Sequence, residues 1–373
     1  MKMIKQERGA VTLFVLVAML FFTLFLVGIF MLSSASEQTG AQETAKVKEI
    51  YEKEVNRVGD VYKTIEERLN LPIENPEEPN VEPEEPLPNV FASFSKDTLY
   101  FFNDEQRAKE MAQSEEYYYG NVAKVITFPP WFKDKDKINY VNITEEIHPI
   151  NVNYYFAELQ VLRDIKNIGN LKTDQTKSMA GMFRNCKSLQ RLDVSQFDTR
   201  NVSSMAHMFY GIPFAGLNLS NFDTSRVKTM GYMFSESQIT KLDLTSFNTS
   251  NVTTMEGMFQ GCSKLTSVDL SSFDTRKVTT MKGMFNWANS ITELDLTNFN
   301  TSNVTNMAAM FYACHRLTSL DLSSFNTSKV ITMDEMFARS IGLRKIYVGP
   351  NWKLAQDTQN MFNQCGVSET TLK

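Results

Sequence analysis

Histidine is nearly absent from this chain of 373 residues: His148, His207 and His315 are its three copies. A catalytic triad or a histidine-built metal centre needs imidazoles converging on one point, and these three sit at unrelated positions. Cysteine is almost as scarce, with Cys186, Cys262, Cys314 and Cys365. No glycine-rich phosphate loop and no dinucleotide fingerprint occurs, which removes the usual nucleotide-binding signatures. No stripe of Lys and Arg is visible and the net charge is −5, so nucleic acid is not an expected partner. Together these absences lead us to expect no enzymatic activity and no cofactor.

What the chain has instead is a period. A leading apolar residue recurs as Leu192, Leu217, Leu242, Val268, Leu294 and Leu320, with Ile346 as a fading copy, at steps of 25 or 26 residues. A fixed period of this size marks a solenoid, one supersecondary unit per coil. In the best copy, Leu242 to Ser267, the core candidates are Leu242, Leu244, Phe247, Val252, Met255 and Phe259. Burying so few groups does not offset the ordering of the backbone they sit on. Each coil therefore needs a neighbour above and below.

The spacing changes inside the coil. The LxxLxL part ends in strand-like alternation, and the parallel strands are expected to stack into one sheet. The VxxMxxMF part (Val252, Met255, Met258, Phe259) steps by three and four, which predicts one or two helical turns. Between them lies an Asp or Asn at positions 198, 223, 248, 274, 300 and 326, placed to cap that helical turn. The twenty methionines fall mostly on these core positions and read as packing.

The string FDTSxVTxMxxMFxxCxxLxxLDLS resembles the repeat of BspA-like leucine-rich-repeat bacterial surface proteins, over roughly residues 156–349. The segment Phe91 to Gln106 is similar to the piece that precedes the repeats in that family. The resemblance implies a surface-displayed adhesion or interaction protein with no catalytic residues. The expected fold is thus an α/β, leucine-rich-repeat-like solenoid of about eight coils, a parallel strand stack plus short helical turns. Residues 89–155 are expected to form an N-terminal cap, and 156–373 the solenoid with its C-terminal cap. The aromatic runs of 89–155 leave a second reading open, a ligand platform.

The four cysteines share one repeat position, three residues after Phe183, Phe259, Phe311 and Phe362. They lie two or three coils apart. At a strand spacing of about 4.8 Å, two coils separate them by roughly 10 Å, beyond the reach of about 7 Å that a disulfide allows. We expect four free, inert thiols. His207 and His315 fall at variable positions and are expected to be solvated.

One exposed column carries charge. Between the strand leucines stand Asp193, Asn218, Asp243, Asp269, Asp295 and Asp321, followed by hydroxyls at Ser195, Ser220, Thr245, Ser271, Thr297 and Ser323. Stacked carboxylates repel, so the middle of the row is expected to have a modestly raised pKa. Two readings stay open: a structural row satisfied by hydroxyls and loop N–H groups, or a binding face that takes Ca²⁺, a basic partner or a glycan. This row, with flanking Arg191, Lys241 and Glu293, is the candidate binding face.

The chain opens with a basic segment (1–9) and then runs without charge from Ala10 to Leu32. A helix over this stretch spans about 35 Å, enough for a membrane's hydrocarbon core. Lys2, Lys5 and Arg8 place its start in the cytoplasm. Cleavage after Ala35 is the alternative, and no sorting motif of the LPxTG type follows. Residues 33–70 are expected to form a helical stalk, where Tyr51, Val55, Val58, Tyr62, Ile65 and Leu69 make a short seam for weak self-association. Residues 71–88, rich in Pro and Glu, form a semi-rigid spacer. Arg8-Gly9 before Ala10-Val11-Thr12-Leu13 is also similar to a type IV prepilin start, although Phe14 stands where pilins carry glutamate. The expected protein is therefore a single-pass surface protein whose solenoid faces outward and binds an extracellular protein or glycan. The alternative is a minor pilin or pseudopilin-like subunit with the solenoid as its head.

Overall fold

The computed structural model describes residues 87–113, 117–125 and 128–373. The chain divides into two units, Met1–Glu84 and Glu85–Lys373, and the described residues belong to the second. The expected transmembrane helix, stalk helix and most of the Pro/Glu spacer lie outside them. Among the described residues, no helix is long and apolar enough to cross a membrane.

The unit begins with an antiparallel hairpin, β1 (Phe91–Ser95) and β2 (Thr98–Phe102), in register from Phe91 opposite Phe102 to Ser95 opposite Thr98. Helix α1 (Glu105–Ala112) starts at Asp104, whose carboxylate accepts from the Arg107 N–H and so caps the first turn. Its Ala108 face packs on Phe91 and Phe102. Strand β3 (Tyr118–Asn121) pairs with β1, while β4 (Lys124–Val125) and β6 (Asn151–Val152) form a separate parallel pair. On the other side of the hairpin, β5 (Tyr140–Ile143) and β7 (Asp164–Lys166) add in parallel, giving the order β3-β1-β2-β5-β7. The hairpin is thus continuous with the first coils. Fully buried Trp131 sits at this junction: its indole N–H donates to the Tyr155 carbonyl at 2.8 Å, and its ring meets Phe101 edge-on at 5.2 Å.

From there the chain is an array of coils. Every core candidate of the best copy is buried, Leu242 at 7% exposure and the others at 2% or less. The phenylalanines of successive coils form one file, Phe183, Phe209, Phe234, Phe259, Phe285, Phe311, Phe337 and Phe362. Neighbouring rings lie 5.5–6.0 Å apart and nearly parallel, within the range that offset aromatic stacking favours.

The MxxMF segment is not helical, and the structure corrects that expectation. A helix would commit each N–H to the carbonyl four residues back. Here alternate N–H groups leave the coil: Met255, Gly257, Phe259 and Gly261 donate to Thr280, Lys282, Met284 and Asn286 of the next one. The groups between them close three-residue turns, Met258 to Met255, Gln260 to Gly257 and Cys262 to Phe259. The MxxM and FxxC turns each carry a left-handed residue at their third position, Gly257 (φ 57°) and Gly261 (φ 68°) in this copy. That is the conformation a type II turn demands there, and glycine is its natural occupant.

The strand stack is corrected as well. Extended LxL strands occur at the two ends, as β5 and β7 and again as β8 (Ser319–Leu322), β9 (Lys345–Val348) and β10 (Thr371–Leu372), which pair in parallel. Through the middle, the continuous parallel ladder runs instead along the residue before the first Met, Ser178, Ser204, Thr229, Thr254, Thr280, Asn306 and Thr332, and ends on Asp357, which precedes Thr358. The leucine segments of the middle coils bond the preceding coil only at their start, Thr240 to Ala215 and Thr266 to Thr240 at 3.4 Å, too little for a strand ladder. An Asx turn closes the segment in both regions, Ser271 onto Asp269 and, after β8, Ser323 onto Asp321. The Asp/Asn before Thr behaves in the same way. Asn248 accepts from the Ser250 N–H at 3.1 Å, so it closes a turn and caps no helix.

The cysteines are free. Burial pushes the thiols of Cys262 and Cys314 up to about 12 and that of Cys186 up as well, and Cys262 donates to the Phe234 carbonyl at 3.0 Å. Thiols this far from ionising are unreactive at neutral pH.

Candidate binding surface

The ladder holds each repeat position in register with its copies, so a column in the sequence becomes a line on the surface. Asp193, Asn218, Asp243, Asp269 and Asp295 are exposed and Asp321 is half-buried. Arg191, Lys241 and Glu293 are exposed beside them. The structure thus brings the candidate residues into one row.

Electrostatics in this row run opposite to expectation. Hydrogen bonds from Ser195 hold the Asp193 carboxyl below the usual range, and Thr245 and Thr297 do the same for Asp243 and Asp295. Asp269 is lowered by Ser271, with the repulsion of Asp243 and Asp295 as lesser opposing influences. Each carboxylate takes a backbone N–H, and Asp243 and Asp295 also take a hydroxyl at 2.6 Å. Donors within bonding distance outweigh like charges one coil away across water. At the end of the row, Lys373 joins Ser323 on Asp321 and brings it down to about 2.

Acid should therefore loosen the array. Depressed folded-state values mean that the stabilisation is complete above the ordinary carboxylate pKa of about 3.9 and is lost as pH falls through the folded values. Asp198, Asp223 and Asp274 are lowered too, by Arg200, Ser225 and Arg276. Thermal melts should show a flat midpoint above about pH 5 and a falling one from about pH 4 to pH 2. A midpoint that rises on acidification would mean that repulsion along the row dominates after all.

At the start of the row, an open cleft of about 660 Å³ is lined by Asn142, Asp164, Lys166, Arg191 and Asp193 among others. Arg191 grips Asp164 with two bonds of 3.0 Å, which occupies both charges. Among the described residues, no group of three His, Cys, Asp or Glu side chains is arranged to hold a metal ion.

The histidines are not solvated as expected. His207 is half-buried and lies flat on Tyr232 at 4.9 Å. Burial and nearby Arg184 push its pKa down to about 4. His315 is half-buried against Trp287 at 5.9 Å. Sequence reasoning treated each position as one residue in a variable column and missed that neighbouring coils supply the partner ring.

With the coils and their surfaces described, comparison with known families becomes informative. Matches to the family described as "Mycoplasma protein of unknown function, DUF285" cover residues 131–215, 150–268, 177–294 and 264–373. The chain belongs to this family. The overlapping matches advance along the repeats and together span more than half of the chain. They begin at residue 131, so the prepilin-like start is not shown. No curated protein matches. Two solved structures are similar. One is a leucine-rich repeat protein from Bacteroides ovatus ATCC 8483, 15% identical over 71% of each chain with a TM-score of 0.37. The other is a leucine-rich repeat protein from Eubacterium ventriosum ATCC 27560, 13% identical over 76% of this chain and 94% of that one, with a TM-score of 0.31.

Proposed function

We propose that this chain is a bacterial cell-surface interaction protein that binds an extracellular protein or glycan through its array of coils. The supporting observation is the registered ladder from Ser178 to Asp357, which lines up exposed side chains of successive coils into continuous rows. The proposal includes the apolar stretch Ala10 to Leu32 as the membrane anchor, with the stalk and Pro/Glu spacer setting the array away from the envelope. It includes no catalytic role. The Asp row is the binding face in this reading.

The test is to display the full chain on a heterologous bacterium and measure binding of intact cells to immobilised matrix proteins, mucins and glycans, with and without a calcium chelator. Saturable binding to one ligand class is expected, at least about tenfold weaker after Asp243→Ala, Asp269→Ala and Asp295→Ala together, the equivalent of about 1.4 kcal/mol. Silent cells whose repeat domain also resists external protease would refute surface interaction. The mass of the mature N-terminus separates the pilin-like alternative: Met1 retained fits an anchor, and a start at Ala10 fits prepilin processing.

A further inference from the structure

The ridge of left-handed turns carries one exposed aromatic ring. Trp287 occupies the third position of its turn (Phe285–Ala288) with φ 59°, where the other coils place Asn185, Gly211, Glu236, Gly261, Ala313, Arg339 and Gln364. A bulky side chain is strained in this region of backbone space. Trp287 is also 42% exposed, whereas Trp131 is fully buried, so core packing does not offset the strain. The other long side chains of the column are polar, so a left-handed turn that presents an exposed indole points to a use for the ring.

The surroundings define that use. Trp287's neighbours in the column are Gly261 and Ala313, so no column side chain longer than a methyl group covers the indole. Tyr312 lies 6.0 Å from it and His315 5.9 Å, edge-on. The Arg339 guanidinium sits over the Tyr312 ring at 5.8 Å. Exposed Arg316 and Arg339 lie on the two coils that follow Trp287, and residues 286–290, 312–316 and 338–342 contain no Asp or Glu, while the Glu236 carboxylate lies over Gly261 on the preceding side. A cationic patch on a chain of net charge −5 is complementary to an anion.

We propose that Trp287, Tyr312, His315, Arg339 and Arg316 form a binding site for a carboxylated sugar unit of a glycan. The C–H face of the ring stacks on the indole, and its carboxylate meets the cations. The proposal rests on the reading of the array as a ligand-binding module, and it adds a site on the turn ridge to the Asp row. Single-stranded nucleic acid would also stack and pair with cations. It fits less well, because a strand needs a run of cations along its backbone, and no stripe of Lys and Arg is present on a chain of net charge −5.

The test titrates the detergent-solubilised full chain with sialyllactose and with a hyaluronan tetrasaccharide, which separate the two carboxylated sugar types. Lactose and a ten-residue oligothymidylate serve as controls. Tryptophan fluorescence reads Trp287 as the exposed indole. A blue shift is expected with at least one acidic sugar, with lactose at least about tenfold weaker. Trp287→Gly should abolish the shift and raise the melting temperature, since glycine suits the turn. Arg339→Gln should weaken binding about tenfold while leaving the melting temperature in place. The inference is overturned if no acidic sugar binds, if Trp287→Gly or Arg339→Gln binds as the parent does, or if lactose or the oligonucleotide binds as tightly. If the sugars fail while intact cells still adhere to mucin or matrix protein, the site falls and the surface-interaction reading stands.

Discussion

Replacing Phe259 with alanine is expected to destabilise the array by about 3–5 kcal/mol. The side chain is fully buried, with Phe234 stacked at 5.9 Å on one side and Phe285 at 5.5 Å on the other. The loss is both transfer and cavity, because the coil backbones are pinned by the ladder bonds of Phe259 to Met284 and Phe234 to Met258 and do not collapse inward to fill the space. In a stacked array, stability is approximately a sum of coil and nearest-neighbour contributions. Damage in the middle coil weakens both of its interfaces at once. Denaturant melts should shift by that amount or split into two transitions. A loss below about 1 kcal/mol would show that the file of rings is a passive lining, since surface changes alone reach about half of that.

The second large effect has the opposite sign to the one hydrophobicity suggests. Thr249→Val keeps the shape and makes a fully buried side chain less polar, yet it is expected to cost about 2–4 kcal/mol. The Thr249 hydroxyl donates to the Asp274 carbonyl at 3.0 Å and accepts from the Asp274 N–H at 2.7 Å. One hydroxyl thus satisfies both backbone groups of a residue in the next coil. Thr224, Thr275 and Thr301 repeat the arrangement on Asn248, Asn300 and Asn326. Valine leaves both groups of Asp274 without a partner. Thr249→Ser retains the hydroxyl and should recover most of the loss. Denaturant melts of the two variants decide it: a valine variant as stable as the parent would remove the threonine file from the account of what ties coils together.

The contrast between these two files shows what could be read from sequence. Phe259 and Leu244 are apolar at a fixed period, and periodic apolar residues report burial directly. The separation of the cysteines followed from counting coils. Thr249 gave a weaker signal: it recurs as faithfully as the phenylalanine, but a polar residue beside Asn248 reads as surface. Its burial depends on a backbone group of the next coil, which no pattern within one coil displays. The MxxMF segment was misread because turns closed every three residues share their spacing with a helix. The glycines at 257 and 261 were the available clue, since left-handed residues in consecutive turns interrupt a helix. The raised pKa expected for the Asp row weighed like charges one coil away above the hydroxyls and loop N–H groups two positions on, and in the structure those donors prevail. Trp287 stood unremarked in a column of small or polar residues.

The ladder from Ser178 to Asp357 also has a mechanical meaning. Adjacent coils are joined by several parallel bonds, and in the middle of the array no bond skips a coil. A chain anchored at one end and held by a ligand at the other would be loaded across these junctions in series. Under tension the weakest junction yields first, and one released coil of 25–26 residues extends by roughly 85 Å while its neighbours keep their shape. Such a molecule lengthens under pull in steps and can rewind when the load falls. It would act as an extensible tether whose slack is stored as whole coils.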